Sequence, residues 1–164
     1  MPEEGKATFT QLFTTRVAEA LRRYPRAVHV VLSDGATWNW QLLEAQYPGA
    51  IWILDFYHAT QHLAAAAGLI FGTAPPPEKS AWYERWRTAL RDEPGGVAGV
   101  IRSLIYYRNR GQFSLGAARE LEREINYFRT HADKMQYADY LAAGLPIGSG
   151  VTEAGCKELI EARS

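Results

Sequence analysis

The sequence is short of sulfur, of net charge and of long apolar runs, and each shortage excludes a class of protein. One cysteine, Cys156, cannot close an internal disulfide, and with no CxxC pair the chain carries neither a zinc knuckle nor a dithiol redox motif. Cys156 reads instead as a small core residue. Lysine plus arginine and aspartate plus glutamate both number 18, so the whole chain lacks the positive field of a self-sufficient nucleic-acid binder. The longest apolar stretch, Leu63 to Phe71, is about half of what a membrane-spanning helix needs. The polar, acidic start from Met1 to Lys6 does not resemble a secretory signal. The expected compartment is therefore the cytoplasm, with no membrane partner. What is present is the composition of an ordinary globular domain, 164 residues of which 47% are hydrophobic, enough to bury a core.

Periodicity divides the chain into a mixed first part and a helical remainder. Phe9, Leu12, Phe13, Val17 and Leu21 recur at three- and four-residue spacing and predict a helix from about Thr8 to Arg23, ended by Pro25. Ala27 to Ser33 (AVHVVLS) and Ala50 to Leu54 (AIWIL) are short, rich in β-branched residues and apolar on both faces, as buried parallel strands are. Between them Trp38 to Gln46 has helical spacing and Pro48-Gly49 stops it, so the unit is βαβ. Such units place the residues just after each strand along one edge of the sheet; here these are Asp34 and Asp55.

Tyr57 to Phe71 reads as a helix, Gly72 to Pro77 (GTAPPP) as a loop, and Ser80 to Ala143 as helical throughout. Its apolar stripes are Trp82, Trp86 and Leu90; Val97, Ile101, Leu104 and Ile105; and Leu121, Ile125 and Phe128. Gly148-Ser149-Gly150 is a tight turn, with Ser149 able to cap a final helix over Val151 to Ala162 and Glu153 in its first turn.

Carboxylates at the ends of adjacent parallel strands stand where open α/β sheets keep their sites. Held together they repel, and a divalent cation such as magnesium, which prefers hard oxygen ligands, removes that cost. The bland reading is equally available: Asp34 caps a turn beside Gly35, and Asp55 caps the helix that begins at Phe56. His58 and His62 stand four apart on one helical face, a zinc-compatible spacing, but the residues between them include no glutamate base, and structural histidines are the plainer reading. Glu153 in a first helical turn repels a bare phosphate, so the glycine turn before it suits metal ligation better than a phosphate cradle; a carboxylate set favourably against the helix dipole is the alternative. His29, His131 and Ser33 carry no motif.

Three segments, SDGATWNW (33–40), YPGAIWILDFYHATQHL (47–63) and INYFRTHADKMQYADYLAAGLPIGSGVTEAGCK (125–157), resemble bacterial insertion-sequence DDE transposases related to the mutator-like type. The GLPIGSG run with a glutamate shortly after it is the most specific. The resemblance spans roughly Ser33 to Lys157 and is weak between about Gly68 and Gly116. It implies an α/β fold with an RNase H-like core, a parallel βαβ unit and a helical insertion, the sheet being incomplete. The implied divisions are residues 1–67 as the first part of the core, 68–143 as the insertion and 144–164 as the returning core helix.

By the same resemblance, Asp34 matches the second aspartate of the catalytic triad and Glu153 its glutamate, both as metal ligands. Asp55 and His58 match an auxiliary D-x-x-H motif. Two magnesium ions would serve DNA phosphodiester cleavage and strand transfer, the partners being transposon-end DNA and a full-length transposase. The chain departs from the pattern in having no strand-borne aspartate before Asp34, where Glu3, Glu4 and Glu19 are the only acids, and in stopping soon after Glu153. The expectation is thus a transposase fragment truncated at both ends and inactive alone. Two other expectations are a non-catalytic module that regulates a full-length transposase, and a zinc-dependent hydrolase using Asp55, His58 and His62.

Overall fold

The computed structural model describes residues 3–35, 40, 44–45, 47–72 and 77–148. Over these the protein is α/β and mostly helical, with one two-stranded parallel sheet. The chain divides into two compact units, Met1–Trp52 and Ile53–Ser164, the division falling inside the second strand.

The first unit opens with α1, Glu3–Arg23, which starts more than one turn before the predicted Thr8 and ends, as predicted, ahead of Pro25. Its apolar residues are unevenly covered. Val17 is buried and Phe13 half-buried, whereas Leu12 is 61% exposed and Leu21 43%.

Strand β1, Val30–Ser33, is half-buried along its whole length rather than buried on both faces. Just before it, the His29 ring is held twice. Its Nε2 lies 3.0 Å from the Tyr24 carbonyl, which can only accept, so Nε2 carries a proton, and Nδ1 is hydrogen-bonded to the Tyr47 hydroxyl. Trp40, Glu44 and Ala45 have helical backbone; the rest of the predicted Trp38–Gln46 helix lies outside the described residues. A turn through Pro48-Gly49, closed by the Ala50 amide donating to Tyr47 O at 3.1 Å, leads into β2, Ile51–Leu54. The Ile51 amide donates to His29 O at 2.8 Å.

The second unit is built from α2 (Phe56–Phe71), α3 (Pro77–Asp92), α4 (Gly96–Arg110), α5 (Leu115–Thr130), a 3₁₀ turn (Ala132–Lys134) and α6 (Tyr137–Ala142). Helix α2 packs against α3, α4 and α5, α3 against α4, α4 against α5, and α6 against α3. The predicted stripe on α5 is met in full, since Leu121, Ile125 and Phe128 are completely buried. On α4 the buried row is Val97, Val100 and Leu104, with Ile101 and Ile105 half-buried beside it.

Pro77, expected in a loop, is the first residue of α3, where its missing N–H is harmless because first-turn amides have no helical acceptor. The α3–α4 corner turns on Gly95, in the left-handed region at φ 67°, and on Gly96, where a Cβ would stand 2.0 Å from the Ala89 carbonyl oxygen. Across these helices Phe71, Trp82 and Tyr107 form an edge-packed aromatic cluster, and the Trp82 indole N–H donates to Ser103 Oγ at 2.9 Å.

The junction of β2 with α2 is tied down by residues from the far end of the unit. Tyr137, fully buried, donates its hydroxyl to the Leu54 carbonyl at 2.9 Å and packs its ring edge-on to Phe56, centroids 5.1 Å apart. Two residues on, the Phe56 amide donates to Ile147 O at 2.8 Å. Burial pushes the Tyr137 hydroxyl far up, with smaller contributions of the same sign from Tyr127, Asp55 and Tyr140, so it stays a neutral donor. Tyr137→Phe, which keeps the ring and removes the donor, is expected to lower stability by about 1–3 kcal/mol in chemical unfolding. Unchanged stability would show that the bond to Leu54 contributes nothing.

Candidate functional site

Asp34 follows β1 directly, is exposed, and precedes Gly35 at φ 86°. That dihedral lies in the left-handed region, which glycine enters without a Cβ penalty.

Asp55 follows β2 directly and is the N-cap of α2. Its Oδ1 accepts from Tyr57 N at 2.8 Å and from His58 N at 3.2 Å. The cap satisfies first-turn amides that have no helical partner and sets a negative charge against the positive end of the helix dipole. The D-x-x-H spacing is therefore also the spacing from an N-cap to the third residue of the helix. The capping alternative for Asp55, open in the sequence, is realised.

Gly148 lies beside this carboxylate. A Cβ on Gly148 would stand 3.9 Å from Asp55 Oδ1 and 2.9 Å from the Tyr57 ring, so only glycine fits without displacing the ring. The DFYH and GLPIGSG segments, far apart in sequence, thus meet at one corner. Ser149, Gly150, Glu153, Cys156 and the predicted final helix lie outside the described residues.

Farther along α2 the histidines face α5. The His62 ring stacks on Tyr127 at 3.6 Å and 17°, and its Nδ1 lies 2.8 Å from Glu124 Oε2. Because a carboxylate accepts, Nδ1 carries the proton. His58 packs edge-on to His62, centroids 5.0 Å apart, and 6.2 Å from Tyr127; His131 packs on the same tyrosine at 5.1 Å. His131 is buried, and its imidazole is lowered from its ordinary range chiefly by that burial. The Lys134 charge adds to the lowering, Asp133 opposes it, and His62 and His58 add to it further, so the neutral ring is favoured.

Of the predicted site residues, then, Asp55 and His58 share the first turn of α2, His58 and His62 share a cluster, and Asp34 belongs to the other unit. Among the described residues no group of three histidine, cysteine, aspartate or glutamate side chains is gathered so as to hold a metal ion. Asp55 commits its Oδ1 to the helix cap and His62 its Nδ1 to Glu124. Glu124, Tyr127 and His131 do not stand out in the sequence, although their spacing of three and four already puts them on one face of a helix.

No protein family, no curated protein and no solved structure matches the chain. Among the described residues no helix is long and apolar enough to cross a membrane.

The cap gives a test that separates the structural part of Asp55 from any chemical one. Asp55→Ala is expected to cost about 1 kcal/mol of stability, and Asp55→Asn, which keeps an accepting oxygen, only a few tenths. Equal losses in thermal unfolding of the two variants would show that capping is not what Asp55 contributes.

Proposed function

We propose that the chain is part of a DDE-type transposase of the insertion-sequence, mutator-like kind, in which an RNase H-like core serves metal-dependent DNA phosphodiester cleavage and strand transfer. The observation that supports this best is the corner at α2. The Phe56 amide bonds to Ile147 O, and Gly148 lies against Tyr57 and Asp55, so two segments of the resemblance, the most specific one among them, are neighbours in space. In this reading β1 and β2 are part of the core sheet, residues 68–143 are the insertion, and residues 144–164 return to the core.

Asp34 and Glu153 are the two carboxylates assigned to the metal site. Asp34 suits the task as an exposed hard oxygen donor at a strand end. Asp55 and His58 are left to the auxiliary motif, where the Asp55 cap fixes the first turn of α2. Magnesium is the ion implied; bound as a pair, it supplies Lewis-acid activation of the attacking oxygen and neutralises charge on the leaving one. The protein's own part is to place oxygen ligands rigidly beside the phosphodiester. The acids before β1 are Glu3, Glu4 and Glu19, all within α1, so none follows a strand. In this reading the chain's residues hold two of the three triad carboxylates and do not by themselves complete the metal site; transposon-end DNA is the partner implied, and a full-length transposase is the partner of the alternative, regulatory reading.

Manganese provides the test, since it replaces magnesium and is seen by electron paramagnetic resonance. The chain is expected to bind it, and Asp34→Ala to weaken that binding at least about tenfold, while DNA carrying transposon ends stays uncut. Failure to bind manganese overturns the site assignment. Nicking that disappears in Asp34→Ala overturns the claim of incompleteness.

A further inference from the structure

Beside the α2 corner lies a cavity of about 260 Å³ for which the metal chemistry has no use. One wall is Arg87 and Arg91, one helical turn apart on α3, and the other is Tyr57 from the first turn of α2, with Ile147 and Gly148 at the corner. Arg87 is half-buried, its guanidinium 5.9 Å from the centroid of the Phe56 ring. Arg91 is exposed.

Each arginine has an acidic neighbour, Glu84 at 3.8 Å from Arg87 and Asp92 at 3.5 Å from Arg91, but these pairs are long and solvent-exposed. Pairs of that kind are worth little and exchange readily for a phosphate, which accepts two parallel N–H bonds from a guanidinium. The Asp55 carboxylate, at the same corner, is turned to the helix amides.

Tyr57 is a held platform rather than a loose side chain. Gly148 backs its ring, Phe56 meets it edge-on at 6.1 Å, and its own amide is fixed by Asp55, yet the residue remains 47% exposed. A half-exposed aromatic ring lining the same cavity as paired arginines matches the two halves of a nucleotide, a base that stacks and a phosphate that takes charge-assisted hydrogen bonds. A paired base in a duplex keeps its faces on its neighbours, so the fit is to an unpaired one.

We infer that this cavity receives one unpaired nucleotide of a DNA strand, its base stacked on Tyr57 and its phosphate held by Arg87 and Arg91. The inference rests on the transposase reading and names residues of the helical segment among those that touch DNA. It also answers the neutral charge balance, because the interaction is local and needs no basic surface.

The test is fluorescence anisotropy at low salt with a labelled thymidine oligonucleotide of about 12 residues and a duplex of equal length. Thermal melting of each variant checks its fold. Tyr57→Ala is expected to weaken single-strand binding about tenfold, and Tyr57→Phe, which keeps the stacking face, to restore it. Replacing Arg87 and Arg91 with glutamine is expected to reduce the slope of log affinity against log salt by about 0.7 for each phosphate no longer neutralised. Binding that none of these folded variants changes overturns the cavity while leaving the transposase reading in place. Duplex binding as tight as single-strand binding, with the same dependence on Tyr57, overturns the unpaired base. No binding of either DNA overturns the cavity and the DNA-acting reading together.

Discussion

The structure of the second unit depends on how the chain passes from β2 into α2. A buried carbonyl at a strand end and a free amide at a helix start must both find partners, and here both come from residues more than eighty positions later: Tyr137 for Leu54 O and Ile147 for Phe56 N. Between these two bonds Asp55 has little freedom, and its carboxylate is directed onto the amides of Tyr57 and His58. The rest of the corner follows. Gly148 can approach Asp55 and Tyr57 because it has no Cβ, and α6, which packs on α3, carries the same buried tyrosine that reaches the strand.

The two strand-end aspartates, alike in sequence, stand in different surroundings. Asp55 is committed to a helix terminus and half-buried, whereas Asp34 is exposed and precedes a glycine at positive φ. In the proposed reading the metal ligand is Asp34 and not Asp55. The helical unit in turn presents two distinct surfaces of α2. One, at its first turn, carries Tyr57 toward the arginines of α3; the other, further on, sets His58 and His62 against Tyr127 and Glu124 of α5.

Local pattern is the part of the fold that the sequence exposes. Leu121, Ile125 and Phe128 are legible as a core stripe because helical burial repeats within a few residues, and Asp55 is legible as a cap because capping is decided within one turn. The apolar face of α1 reads as a core face, yet Leu12 and Leu21 are exposed, since periodicity reports which residues share a side and not what covers it. Pro77 reads as loop because three prolines in a row hide the one that starts a helix. The contacts that define the site are not legible. Nothing local tells that Gly148 meets Asp55, that Tyr137 reaches Leu54, or that Glu124 and His131 join His58 and His62, because each pairing is made only when the helices pack.

The central proposal is that Asp34 and Glu153 are metal ligands and Asp55 is not. Iron-directed cleavage tests this most directly. Fe(II) substituted for magnesium, with ascorbate and peroxide, generates hydroxyl radicals that cut the backbone beside the bound ion. The account predicts cuts near residues 34 and 153 together, suppressed by excess magnesium and abolished in Asp34→Ala. Cuts confined to the neighbourhood of His58 and His62, or no directed cuts at all, would contradict it.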